Sequence, residues 1–275
     1  MSTMPRSAVV ARLRAAGCVF AEEEARLLMA AALTPADLDA MVARRVAGLP
    51  LEHILGWAQF CGLRIGVDPG VFVPRRRTEL LVREGAALAG PAGAAHQRAP
   101  DEATVVVDLC CGSGAVGVAL AAALARVELH AVDLDPAAVA CARRNVAATG
   151  GGAVYQGDLY EPLPADLRAR VHVLVANAPY VPTAEIALMA PEARLHEPLM
   201  ALDGGADGLD LQRRVIAGAP GWLAWGGRLL VETSERQAPQ TLRAVSRAGL
   251  VPRVVRSRAL DATVVIGTRA LRPDG

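Results

Sequence analysis

From residue 104 to residue 267 the chain alternates short, almost wholly apolar runs with stretches in which apolar residues recur at helical spacing. Residues 105–109, 127–132, 153–156, 171–176 and 228–232 have the length and Val/Leu content of strands. Residues 115–125, 136–148, 207–219 and 239–248 read as the helices between and after them. A strand that is apolar on both faces is covered on both faces, and the regular alternation with helices predicts a mainly parallel sheet with a helical layer on each side. Residues 250–255 and 263–267 follow one another without a helix, which predicts an antiparallel hairpin at one edge. The expected class is therefore α/β, a Rossmann-like sheet.

The segment before it differs. Residues 8–16, 21–33 and 35–47 carry helical periodicity, with Thr34-Pro35 as an N-cap and first-turn pair and Gly17 and Gly48 at helix ends. Residues 51–73 mix Phe60, Leu63, Ile65, Val67, Val71 and Val73 with Gly62, Gly66 and Asp68-Pro69-Gly70, the pattern of short strands and turns. A helix is expected over 74–89 with Thr78 as its cap, and an exposed Ala/Gly/Pro-rich loop over 90–103. The organisation read from this is a small helical N-terminal domain over 1–50 that recognises the substrate, a β-hairpin linker over 51–75 and the α/β domain over 76–275.

Composition narrows the function. The 275 residues carry a net charge of +1 and only 3% aromatics, which argues against a direct nucleic-acid binder. Cys18, Cys61, Cys110, Cys111 and Cys141 are odd in number and contain no C-x-x-C, so neither a disulfide framework nor a metal site is expected. Nothing resembles a signal peptide or a membrane span, and a cytoplasmic protein is the expectation. His53, His96, His130, His172 and His196 are scattered and read as structural or surface residues.

Three features carry chemistry. Asp108-Leu109-Cys110-Cys111-Gly112-Ser113-Gly114 follows the first strand of the sheet, where small residues let a ligand approach the backbone. Gly112, Gly114 and Gly117 also satisfy G-x-G-x-x-G, so this loop alone suits a nicotinamide dinucleotide or an ordinary tight turn as well. Asp133 ends the second strand, where an acid can accept from both hydroxyls of a ribose, and Asp135 beside Pro136 suits the capping role instead. Asn177-Ala178-Pro179-Tyr180 ends the fourth strand. The Asn177 carbonyl and the Ala178 backbone carbonyl are two acceptors for the two hydrogens of one –NH2 group, and Tyr180 can pack over its plane; an Asx-Pro turn is the plainer alternative.

Asn177-Ala178-Pro179-Tyr180 resembles the Asn-Pro-Pro-Tyr signature of amino- and amide-directed methyltransferases, and the chain as a whole resembles the HemK-type glutamine methyltransferases. Pro50-Leu51-Glu52-His53-Ile54-Leu55-Gly56 with Phe60 looks like that family's linker, and Val73-Pro74-Arg75 with Thr78-Glu79 like its Pro-Arg-x-x-Thr-Glu motif. Gly157-Asp158-Leu159-Tyr160, Glu197-Pro198, Ala201-Leu202-Asp203-Gly204-Gly205 and Asp207-Gly208-Leu209 resemble later segments of it.

The resemblance implies an S-adenosylmethionine-dependent methyltransferase fold and transfer of methyl to a protein glutamine amide, the family's substrate being the Gly-Gly-Gln motif of peptide-chain release factors, with S-adenosylhomocysteine as product. It implies that Cys110, Cys111, Gly112, Ser113 and Gly114 wrap the methionine part of the cofactor with Asp108 near its ammonium. Asp133 would hold the ribose, Asp158 and Leu159 border the adenine, and Asn177, Ala178, Pro179 and Tyr180 hold the accepting nitrogen, with Asn177 also against the cofactor. The chain departs from the pattern at Cys110 for Gly, at Ala178 for Pro, at Arg76 and Arg77 for Pro and an acid, and at Leu260-Asp261-Ala262-Thr263 for Gly-Arg-Asp. Other readings of the residues are methylation of a small molecule or a nucleobase amino group, a non-catalytic cofactor-binding scaffold, and a nicotinamide-dependent oxidoreductase.

Overall fold

The fold is described by a computed structural model over residues 4–89 and 102–271. The expected loop at 90–103 lies almost wholly outside the described residues, as does His96. Four helices open the chain: α1 (Arg6–Ala15), α2 (Ala21–Ala31), α3 (Pro35–Val46) and α4 (Leu51–Leu55). The first three begin and end near the expected positions. Thr34 caps α3 by accepting from the Asp37 N–H at 3.1 Å, and Gly17 and Gly48 follow their helices at φ +89° and +94°, which Gly alone adopts without strain. Val9, Leu13, Ala25, Leu28, Leu38, Val42 and Ile54 enclose a core of their own.

Residues 51–55, expected to be extended, are helical instead; α4 ends at Gly56, which sits at φ +77° and turns the chain into the hairpin β1 (Trp57–Phe60) and β2 (Leu63–Gly66). Phe60 and Ile65 leave the hairpin to join the apolar cluster of Leu80, Val116 and Leu120. Asn145 of α7 (Pro136–Ala147) fastens it further, accepting from the Gly66 N–H at 2.9 Å and donating to the Gly66 and Ser113 carbonyls at 2.8 Å. The helix expected over 74–89 starts as a 3₁₀ turn at Arg76–Thr78 and becomes α5 at Glu79–Ala89.

The remaining elements are β3 (Thr104–Leu109), α6 (Ala115–Ala123), β4 (Val127–Asp133), β5 (Ala153–Gln156), β6 (Val171–Ala176), α8 (Pro191–His196), α9 (Asp210–Gly218), β7 (Leu223–Thr233), α10 (Ala238–Arg247), β8 (Val251–Ser257) and β9 (Ala262–Thr268). Seven strands form one sheet in the order β5-β4-β3-β6-β7-β9-β8. The first five of these are parallel, and β9 runs antiparallel to both β7 and β8. The expected hairpin is present, but the last strand lies inside it: β9 is buried along almost its whole length and β8 forms the edge. Strand order reverses between β3 and β6, so the loops leaving these two strands diverge and open a crevice at their carboxyl ends. Among the described residues no helix is long and apolar enough to cross a membrane.

Arg45 joins the helical segment to the rest. It donates from Nε and Nη2 to Glu24 at 2.6 and 3.1 Å, and from Nη1 to the Leu49 carbonyl at 2.9 Å and to Glu192 of α8 at 3.1 Å. Burial works against its charge, and the carboxylates of Glu24 and Glu192 more than offset this, so its pKa rises. Arg45→Ala leaves Glu24 buried without its counter-charge. A loss of about 3–5 kcal/mol is expected, read as a lower urea midpoint; an unchanged midpoint would show that the ion pairs contribute nothing.

Candidate active site

The crevice is one continuous cavity lined chiefly from six places in the sequence: the segment before α5, the loops after β3, β4, β5 and β6, and the stretch between Met189 and Leu202, with Leu211 and Arg214 of α9 added. Of the residues expected to hold the cofactor or the accepting nitrogen, all line it except Gly114, which lies in the turn behind the wall. None of the described histidines does.

The first wall is the loop after β3. Cys111 continues the strand by donating its N–H to the Val132 carbonyl at 3.0 Å, and the Gly114 N–H closes a tight turn onto the Cys111 carbonyl at 2.7 Å. Gly112 and Gly114 have φ +55° and +78°. A Cβ on Gly114 would meet Ala142 Cβ at 3.2 Å, so this glycine serves both the turn and the packing of α7. Cys110 also has a positive φ, +56°. This is the position where the resembling family carries Gly, and the left-handed backbone explains that preference. A cysteine there costs about 1–2 kcal/mol of local strain, which the buried surroundings of the loop hold in place.

Asp108 is buried at the base of this loop and accepts from the Gly117 N–H at 2.8 Å. Gly117 therefore has a packing reason of its own, since a Cβ there would lie 3.1 Å from the Asp108 carboxylate. Burial pushes the Asp108 carboxyl up to about 7, the Gly117 N–H opposes this, and the charge of Asp133 adds to it. A carboxyl in that state is ready to be ionised by any cation that reaches it.

Asp133, expected to be free for a ligand because Asp135 does the capping, carries structural contacts of its own. Its Oδ2 accepts from the Gly112 N–H at 2.7 Å and its Oδ1 from the Asp135 N–H at 3.0 Å, which ties the first loop to the second. Asp135 does cap α7, accepting from the Ala137 N–H at 2.9 Å. Each Asp133 oxygen keeps a further lone pair for a hydroxyl donor. Beside it Leu159, buried at φ +51°, forms an apolar floor with Val132, and Arg214 of α9 donates to Asp158 at 2.7 Å across the cavity mouth. Arg214 was not identifiable from sequence, because only the folded chain brings α9 to the loop after β5.

The opposite wall is the loop after β6. Leu109 and Ala176 are paired in register, so the Asn177 backbone leaves the sheet beside Cys110. Asn177 Nδ2 donates to the Thr78 hydroxyl at 3.3 Å. Thr78, expected as a helix cap, thus belongs to the cavity. Ala178 is fully buried, Tyr180 OH donates to Glu232 at 3.1 Å, and the Tyr180 carbonyl accepts from Gln237 Nε2 at 2.9 Å. The segments Val73-Pro74-Arg75 and Glu197-Pro198, far apart in sequence, meet here: Glu197 accepts from the Val73 N–H at 3.2 Å and from Arg75 Nη2 at 2.5 and 2.6 Å. Arg77 donates from Nε to Glu232 at 3.3 Å and lies 5.9 Å from the Tyr180 ring. Thr78, Arg77, Glu232 and Gln237 were outside the candidate set. The motif containing Thr78 was the one available signal for them.

The chain is similar to known proteins. The methyltransferase small domain family matches residues 95–206. The release factor glutamine methyltransferase of Geobacter sulfurreducens is 41% identical over 221 residues, covering 79% of this chain and 73% of that protein. The protein of the same description from Cereibacter sphaeroides is 36% identical over 264 residues, covering 88% of this chain and 89% of that protein. A methyltransferase structure from Pyrococcus furiosus superposes with a TM-score of 0.56 at 14% identity, over 76% of this chain and 90% of that one, a likeness of fold alone.

The Tyr180 carbonyl packs against Gly208, which has φ +77°; a Cβ there would lie 2.3 Å from that carbonyl oxygen and 2.4 Å from Gln237 Nε2. Gly208→Ala should cost about 2–5 kcal/mol from backbone strain and overpacking together. Urea denaturation measures this, and a loss below the lower figure would mean that the Tyr180 loop moves aside without penalty.

Proposed function

The chain belongs to the release factor glutamine methyltransferase family, and on that premise we propose that it transfers a methyl group from S-adenosylmethionine to the side-chain amide nitrogen of a glutamine in a peptide-chain release factor. The observation that carries the reading is the meeting of two half-sites in one cavity: the loop from Asp108 to Ser113 with Asp133 on one wall, and Asn177, Ala178 and Tyr180 on the other.

The residues present fit the cofactor. Asp108 is a buried carboxyl suited to an ammonium, and Gly112 offers a surface with no Cβ, where the nearest atom to an added one would be Phe72 Cβ at 4.0 Å. Asp133 keeps lone pairs for ribose hydroxyls, and Leu159 and Asp158 suit the face and edge of an adenine. When bound, S-adenosylmethionine supplies an electrophilic methyl on a sulfonium.

The chain's own residues supply position. An amide nitrogen is a poor nucleophile because its lone pair is delocalised. The Asn177 and Ala178 carbonyls accept its two hydrogens and leave the lone pair directed at the methyl, while Tyr180 packs on the amide plane. Holding such a near-attack geometry is worth about 7–11 kcal/mol. The same acceptors favour the positive charge that develops on nitrogen as the N–C bond forms and the C–S bond breaks. The surplus N–H proton then passes to water, and the products are the methylated amide and S-adenosylhomocysteine.

The domain reading belongs to this proposal: residues 1–50 recognise the protein substrate, 51–75 link, and 76–275 bind cofactor and catalyse. Arg45 supports it, because its ion pair with Glu192 sets the helices against the segment that borders the acceptor wall. A cytoplasmic location accords with a release-factor substrate.

Asn177→Ala removes one acceptor and leaves one N–H of the target unpaired. Single-turnover methyl transfer to a Gly-Gly-Gln-containing release factor should fall by at least about a hundredfold, with cofactor affinity nearly unchanged. Near-normal turnover would refute the assignment. The state of Asp108 gives a second expectation. An ammonium partner requires the carboxylate, which exists above pH 7 and is lost below it. Cofactor affinity should therefore fall about tenfold per pH unit below 7, with proton release on binding in that range. Calorimetry should find Asp108→Asn weaker and free of this pH dependence; an equal slope in both proteins would exclude Asp108 as the ammonium partner.

A further inference from the structure

Two buried groups beside Asn177 complement one another. Glu232 lies near the end of β7, where the pairing of Ala176 with Val231 brings it level with Asn177. It is 1% exposed. Its Oε1 accepts from Tyr180 OH at 3.1 Å and from Arg77 Nε at 3.3 Å, while its buried Oε2 has no hydrogen-bond partner among the described residues. Thr78 is 2% exposed. Its oxygen accepts from Asn177 Nδ2 at 3.3 Å, which leaves its one hydrogen for a second partner. Thr78 follows Arg77 in the chain and meets Asn177 in space, which sets its hydroxyl near the unpartnered Glu232 Oε2; burial pushes the Glu232 carboxyl up, and Thr78, Arg77 and Tyr180 pull it back towards the charged form.

Hydrogen-bond polarity then propagates in one direction. Arg77 only donates, and an ionised carboxylate only accepts. A hydroxyl facing that carboxylate turns its hydrogen towards it and its lone pairs away. The neighbour on the far side must be a donor, and Asn177 can satisfy this only with its NH2 end. Its Oδ1 is thereby left for the cavity. The opposite sense would set the Asn177 oxygen against the Thr78 oxygen and present NH2 to the –NH2 of the target.

We propose that Thr78 and Glu232 are positioning residues that fix the sense of the Asn177 amide, and so determine that the acceptor wall offers an oxygen to an N–H donor. This rests on the amide-methylating reading for its functional consequence, but the relay itself is a property of the free protein. It also gives Arg77, which stands where the resembling family has an acid, a definite part: as a donor-only neighbour it anchors one oxygen of Glu232 and leaves the other for Thr78.

Three variants test the relay. Thr78→Val keeps the shape and deletes the hydroxyl; Thr78→Ser keeps the hydroxyl. Glu232→Gln keeps the shape and inverts the polarity, because Arg77 forces the Gln oxygen to its own side and the Gln NH2 towards Thr78. Thr78 then turns its hydrogen to Asn177, and the Asn177 amide flips. With a Gly-Gly-Gln-containing release factor and S-adenosylmethionine both saturating, Thr78→Val and Glu232→Gln should each lower kcat on the order of tenfold to a hundredfold, with cofactor Kd unchanged. Thr78→Ser should lie within about threefold of the parent, and the double variant Thr78→Val/Glu232→Gln should be no worse than either alone, because both act through one amide.

Side-chain amide exchange at Asn177, followed by NMR without substrate, should be slow in the parent and in Thr78→Ser and faster in the other two, where the Asn177 NH2 has lost its acceptor on Thr78. Parent-like kcat in both Thr78→Val and Glu232→Gln, a Ser variant as poor as Val, or exchange that does not respond overturns the relay. If the parent methylates no glutamine yet the exchange pattern is as described, the relay stands and the assigned reaction fails. Should one variant fail to fold, as unmeasurable cofactor binding would reveal, the other carries the same test.

Discussion

The strand order reverses between β3 and β6, and the rest of the site depends on that reversal. Because β4 and β5 lie to one side and β6 and β7 to the other, the two loops that leave the centre of the sheet part company instead of covering each other. One brings Asp108, Cys110 and Gly112 and the other Asn177 to Tyr180, with paired strand ends beneath them. Two half-sites that never approach each other in sequence are held by two central strands buried along almost their whole length. A methyl donor and a methyl acceptor need that arrangement, since a displacement in line requires both ends to be fixed to a common rigid frame.

Around this frame, buried charge supplies tension and order rather than stability. Asp108 and Glu232 are almost fully buried carboxyl groups at the ends of strands, and burial pushes both up. A chain selected for stability alone would fill such positions with apolar groups. The surroundings give each carboxyl a separate role. Asp108 lies under the loop that suits a cation, and Glu232 lies among Arg77, Tyr180 and Thr78 behind the acceptor wall. The ion pairs of Glu197 with Arg75 and of Arg45 with Glu24 and Glu192 work at longer range. They fasten the segment before α5 and the short helical turns around α8 to one another and to the N-terminal helices.

Much of this was legible in the sequence, for reasons that can be stated. Residues 105–109 and 171–176 are unbroken apolar runs of strand length, and local pattern is enough to identify such strands. Thr34, Asp135 and the glycines after α1 and α3 act on neighbours a few positions away, so their roles could be read locally. Asp108, Asp133 and Asn177 were visible because strand ends are where ligands bind in such sheets. What escaped was long-range or conformational. Glu232 meets Arg77 across 155 positions and Asn177 meets Thr78 across 99, and no periodicity encodes a partner at that distance. The helical turn at Leu51–Leu55 was missed because its five residues are too short for a period and lie beside true hairpin residues. The position of β9 inside the sheet does have a local signal: β8 carries Pro252, Arg253 and Arg256, which suit an edge, whereas β9 carries no charge.

The central claim is that this cavity methylates an amide nitrogen of glutamine. Tandem mass spectrometry of a Gly-Gly-Gln-containing release factor, incubated with the wild-type protein and isotopically labelled S-adenosylmethionine, tests it most directly. The account predicts one labelled methyl per release factor, located on the side-chain nitrogen of the glutamine in that motif. Label found only on another residue, on a small molecule or on nucleic acid, or no transfer despite bound cofactor, would contradict it.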